Sequence, residues 1–80
     1  MTNLLLTQAE INVLELLLEG KNNRAIAATL VVSVRTVESH ISNALGKTGC
    51  ESRLQLTLWW IRQLAAEQRI RASTVPSLPA

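Results

Sequence analysis

Between Ser33 and Lys47 the chain carries Ser33, Arg35, Thr36, Ser39, Ser42, Asn43 and Lys47, a run of hydroxyls, an amide and cations. Such groups hydrogen-bond to base edges and neutralise phosphates; they do not by themselves break covalent bonds. The residues that could do covalent or metal chemistry stand apart. His40 is the only histidine and Cys50 the only cysteine, and no second His, Cys or Asp stands at a ligand spacing from either. No nucleophile–base pair, Gly-rich phosphate loop or metal cluster is present, so the sequence describes a non-enzyme that needs no cofactor or metal. His40 then reads as a phosphate contact or a surface hydrogen-bonding group, and Cys50 as a small buried hydrophobe.

The elements that hold this polar run are two short helices. Ser33 suits an N-cap, since its hydroxyl can accept from a free N–H of the first turn. Behind it Val37, Ile41, Ala44 and Leu45 recur at helical spacing, leaving Thr36, Ser39, Asn43 and Lys47 on another side. Upstream, Ile26, Ala27 and Leu30 give the preceding segment its own apolar face. Two helices too short to be stable alone, joined by a tight turn, form a helix-turn-helix. The polar face of the second fits a major groove, which makes double-stranded DNA the first partner to test; the alternative is a small bundle whose polar face meets only water.

Eighty residues allow one domain. Apolar types make up 48% of it, with Trp59 and Trp60 the only aromatics, so the core must be Leu, Ile, Val and Ala in closely packed helices. Both prolines, Pro76 and Pro79, fall in the last stretch. The fold class is all-α: a four-helix domain containing a helix-turn-helix, with a long C-terminal dimerisation helix, over 1–72, and a disordered tail over 73–80. The formal charge is +2 and unevenly spread. Glu10, Glu15 and Glu19 occupy the first twenty residues with no Lys or Arg, whereas Lys21, Arg24, Arg35 and Lys47 face only Glu38 in the middle. No signal peptide is evident and no apolar run approaches the ~20 residues needed to cross a bilayer, so the expectation is a cytoplasmic protein without a membrane partner.

Taken in order, Thr7 and Glu10 form a capping box, with Leu6 and Ile11 as its staple. The first helix then places Ile11, Leu14, Leu17 and Leu18 toward the core, with Val13 and Leu16 at the edges, and Gly20 ends it. Asn22 or Asn23 caps the second helix, and Gly49 stops the third. Ser52 and Gln55 form a second capping box. The fourth helix carries two apolar stripes, one through Leu54, Leu58 and Ile61, the other through Leu56, Trp60 and Leu64. Two stripes exceed what one small domain can cover. The expectation is that Leu54, Leu58 and Ile61 turn inward, and that Leu56, Trp60 and Leu64 make a symmetric homodimer.

These residues carry a pattern. The words Leu6-Thr7-x-x-Glu10 with Val13-Leu14, Gly20-Lys21-x-Asn23-x-x-Ile26-Ala27-x-x-Leu30, Val32-Ser33-x-x-Thr36-Val37-x-x-His40-Ile41-Ser42-Asn43, and Lys47-x-Gly49-x-x-x-Arg53 stand in register over about fifty residues. The chain resembles the helix-turn-helix domain of the LuxR/GerE superfamily of bacterial transcriptional regulators. The resemblance implies a third helix in the major groove of a promoter or operator, a fourth in the homodimer contact, and RNA polymerase as a further candidate partner. By matched position it places Glu38, Ser39 and Ser42 at base edges, and Ser33, Arg35, Thr36, His40 and Lys47 near phosphates. Thr7, Glu10, Asn23 and Arg53 fall where the family holds its helices together, Arg53 either through Glu10 or at a phosphate. No small-molecule ligand is implied for this domain.

Three positions depart from the family's pattern. Glu38 replaces the usual Lys or Arg; a carboxylate accepts from cytosine N4 but is repelled by phosphate. Thr48 stands where an apolar side chain is usual, and Gly46 where a longer one is, which predicts a looser end to the third helix. No receiver or ligand-sensing segment precedes the module, which fits either a stand-alone regulator or part of a larger one. The competing function is a protein-interaction module that kept the fold and lost strong DNA affinity.

Overall fold

A computed structural model of the chain describes residues 6–74, with side chains to residue 68. Four helices follow one another: α1 (Gln8–Leu18), α2 (Asn23–Leu30), α3 (Val34–Thr48) and α4 (Arg53–Thr74). The architecture is the four-helix all-α domain read from the sequence, with α2 and α3 as the helix-turn-helix. The boundary expected after residue 72 falls inside α4, and the rest of the expected tail lies outside the described residues.

Local chemistry sets the ends of these helices. Thr7 and Glu10 make the reciprocal capping box, the Glu10 N–H donating to Thr7 Oγ1 at 3.1 Å and the Thr7 N–H to Glu10 Oε1 at 3.0 Å. At the other end of α1, the Gly20 N–H donates to the Leu17 carbonyl and the Lys21 N–H to the Leu16 carbonyl. Gly20 takes the positive φ of 83° that this Schellman closure requires. Asn22, not Asn23, caps α2 by accepting from the Ala25 N–H. Ser33 caps α3, accepting from the Thr36 N–H at 3.0 Å. Gln55 departs from the expected second box: Ser52 Oγ accepts from the Gln55 N–H, but the Gln55 side chain accepts from Glu51.

The end of α3 is tied down rather than loose. Thr48 Oγ1 donates to the Ala44 carbonyl at 2.8 Å and accepts from the Cys50 N–H at 3.3 Å, so a hydroxyl holds the turn where apolar packing was expected to be missed. Gly49 then reverses the chain at φ 77°. Val31, in the turn between α2 and α3, adopts φ 59° and ψ 48°. That left-handed conformation is costly for a β-branched residue, on the order of 1–2 kcal/mol, and it leaves the isopropyl group 88% exposed.

The core gathers Val13, Leu14 and Leu17 of α1, Ile26 and Ala27 of α2, Val37, Ile41 and Ala44 of α3, and Leu56 and Trp60 of α4. Two expectations about facing are corrected. Leu18 is exposed, and Val13, expected at an edge, is fully buried. The larger correction concerns α4. Leu56 and Trp60, expected at a dimer interface, are 0% and 2% exposed within a single chain, and Leu64 packs against the same core. Leu54, Leu58 and Ile61, expected inward, are 67%, 44% and 43% exposed.

A contact at the start of α4 agrees with this phase. Arg53 reaches back to α2, its guanidinium donating to Asn23 Oδ1 at 2.6 Å and to the Lys21 carbonyl at 3.1 Å. Residues three, seven and eleven positions further along a helix share the face of the first. Arg53, held against α2, therefore shares a face with Leu56, Trp60 and Leu64, which pack into the core. Burying the indole also removes the largest apolar area available on α4 from water.

Candidate nucleic-acid interface

Along α3, between the exposed Val34 and Lys47, the exposed residues are Arg35, Glu38, Ser39, Ser42, Asn43 and Gly46. They recur at steps of three and four, so they form one continuous row. The opposite side carries Val37, Ile41 and Ala44, all buried, which fixes the rotation of the helix. The three expected base-reading residues, Glu38, Ser39 and Ser42, thus fall together on the free row. Among the described residues no protein group hydrogen-bonds to their side chains, leaving them available to a partner. A helix presenting short polar side chains on a row of this width can enter a major groove and address base edges.

The expected phosphate-contacting residues separate into two groups. Ser33 and Thr36 sit at the N-terminus of α3, their hydroxyls 3.0 Å apart, and Arg35 is exposed beside them. His40 is half-buried, lining a shallow 190 Å³ cavity with Ala9, Asn12, Leu30 and Val32. Lys47 has an acidic partner within the protein. Its ammonium donates to Glu10 Oε1 at 2.8 Å and Oε2 at 3.1 Å, while its side chain stays 35% exposed. Glu10 is only 3% exposed, so its carboxylate needs a counter-charge. Lys47 lies in the last turn of α3, where the helix dipole favours a cation.

Of the four residues expected to hold helices together, Thr7 and Glu10 form the expected capping box, while Glu10 and Arg53 do not pair with each other. Thr7 and Glu10 close the start of α1, and Glu10 then binds α3 through Lys47 rather than α4 through Arg53. Asn23 and Arg53 join α2 to α4. Burial raises the Glu10 pKa, but hydrogen bonds from Lys47 and from the Thr7 N–H, with the Lys47 charge, outweigh it and hold the carboxyl below its ordinary value of 4.5. Lys47 as the partner of Glu10 was missed because a pairing across thirty-seven residues leaves no mark on local periodicity.

The sequence is similar to known proteins. Residues 4–60 match the family model of bacterial regulatory proteins of the luxR family. The chain is 43% identical over 58 residues to the spore germination protein GerE of Bacillus subtilis, covering 72% of this chain and 78% of GerE. It is 39% identical over 62 residues to the nitrate/nitrite response regulator protein NarP of Escherichia coli, covering 78% of this chain but 29% of NarP. With the transcriptional regulatory protein LiaR of Bacillus subtilis it shares 37% over 54 residues, or 26% of LiaR. It therefore spans most of GerE but little more than a quarter of NarP or LiaR. The chain belongs to the luxR family of bacterial regulatory proteins, whose helix-turn-helix domain is a non-catalytic DNA-binding module. Among the described residues, no helix is long and apolar enough to cross a membrane.

Proposed function

We propose that the chain is a sequence-specific, double-stranded DNA-binding transcriptional regulator that lays α3 in the major groove and acts as a homodimer. The observation that carries this reading is the exposed row on α3, with Glu38, Ser39 and Ser42 presented outward and unengaged. Ser39 and Ser42 supply hydroxyls to base edges, Glu38 accepts from cytosine N4, and Arg35 neutralises a neighbouring phosphate. The dimer face is the exposed apolar stripe of α4, Leu54, Leu58 and Ile61. On duplex DNA this stripe meets its own copy across a two-fold axis, pairing two recognition helices with two half-sites. RNA polymerase is a further partner at the promoters such a regulator would occupy.

A second reading keeps the fold as a protein-interaction module. It is favoured by the charge of the α3 row, where Arg35 and Glu38 oppose one another and Lys47 is neutralised by Glu10. Competition binding on a panel of duplexes separates the two. Ser39→Ala and Ser42→Ala are expected to change which duplex is preferred. Arg35→Ala is expected to weaken all of them about equally. A folded protein that binds no duplex at low salt would reject the regulator in favour of the interaction module.

A further inference from the structure

Val34 stands at the first position of α3, next to the Ser33 cap, and is 36% exposed. Among the described residues of α3 it is the one large apolar side chain open to solvent. Nothing in the helix itself favours it there. A β-branched side chain lowers helix propensity, and the positive end of the helix dipole favours an acidic group. The polar groups around it are engaged locally: Ser33 Oγ accepts from the Thr36 N–H, and the two hydroxyls lie 3.0 Å apart. Four positions along, Glu38 is exposed and has no ion-pair partner among the described residues.

Residues four apart on a helix are neighbours, about 5–6 Å between Cβ atoms, and stacked bases on one strand rise about 3.4 Å. The N-terminal residues of a recognition helix are those that contact base edges, so Val34 and Glu38 together reach neighbouring bases. Their chemistries match the two pyrimidines. Cytosine offers its N4 amino group, which a carboxylate accepts, and thymine offers its C5-methyl, which buries against an apolar side chain. Guanine shows only acceptors on this edge, and the adenine amino group has the N7 acceptor beside it, which repels a carboxylate. We propose that Val34 is a specificity-determining residue that packs on a thymine methyl, and that the Val34–Glu38 pair selects an adjacent cytosine and thymine on one strand of each half-site. This rests on the duplex-binding reading above, in which Glu38 takes the cytosine; Val34 adds the methyl.

The test uses the full chain and a duplex enriched from a randomised pool. Each thymine is replaced in turn by deoxyuridine, which removes the methyl and keeps the base pairing. Wild type is expected to lose about fourfold in affinity at one thymine per half-site, the worth of roughly one buried methyl group. Val34→Ala, checked for helicity by circular dichroism, is expected to bind the thymine and deoxyuridine duplexes equally. The cytosine is located separately, as the base pair whose replacement weakens wild type but not Glu38→Ala, and is expected to adjoin that thymine on the same strand. A wild type indifferent to deoxyuridine at every position overturns the proposal and leaves duplex reading standing. So does a methyl effect that Val34→Ala retains, or a thymine and cytosine that are not neighbours. A wild type that binds no duplex at low salt overturns the underlying reading and the pair together.

Discussion

The Glu10–Lys47 pair links the surface of α3 to the interior of the domain. Its carboxylate is almost wholly buried, while the ammonium side chain is 35% exposed, so water screens one end of the bridge. Lys47→Met removes two charge-assisted hydrogen bonds and leaves Glu10 buried with only the Thr7 N–H. A loss of about 1–2 kcal/mol is expected in urea denaturation at neutral pH, the lower figure reflecting that screening. The pH dependence follows from the direction of the shift. The folded carboxyl titrates below 4.5, so its contribution is present above that value and lost as pH falls through the lowered folded pKa. Wild type is therefore expected to lose stability on acidification below about pH 4.5 more steeply than Glu10→Gln. Parallel acid-titration curves for the two proteins would show that the pair contributes nothing.

Among the elements, α4 has the most exacting phase, because both of its stripes are apolar. Periodicity alone finds the stripes and cannot rank them, since Leu54, Leu58 and Ile61 are as apolar as Leu56 and Leu64. The face that turns inward is the one carrying Trp60, whose indole is the largest apolar area on the helix, together with Leu56 and Leu64. Two substitutions separate the faces. Trp60→Ala is expected to destabilise the fold by roughly 3–5 kcal/mol through the cavity it leaves. Leu58→Glu is expected to preserve stability but abolish cooperative loading of two copies on a two-half-site duplex, read by sedimentation. Cooperative loading that survives Leu58→Glu would place the dimer contact elsewhere. By contrast α1, α2 and α3 were legible almost completely, since Thr7, Asn22, Ser33, Gly20 and Gly49 mark their ends through local hydrogen bonds and positive φ. What sequence could not supply were contacts across the fold, Glu10 with Lys47 and Arg53 with Asn23.

For the whole molecule, the small positive charge is less informative than its placement. The sequence already separated an acidic first helix from a basic middle, but only the fold brings Arg53 beside Lys21 and Arg24 and pairs Lys47 with Glu10. The result is an α3 row on which Arg35 and Glu38 cancel, with cations gathered at the start of α2. Under the proposed function, sequence preference belongs to the α3 row. The proposed function requires that this domain reads duplex DNA as a two-fold pair. Its most direct test is selection of bound sequences from a randomised duplex pool at low salt, using the purified full chain. The expected result is an enriched motif of two inverted half-sites, centred about 10–10.5 base pairs apart, one helical turn. Recovery of a pool no different from the input, with no retained duplex at low salt, would contradict it.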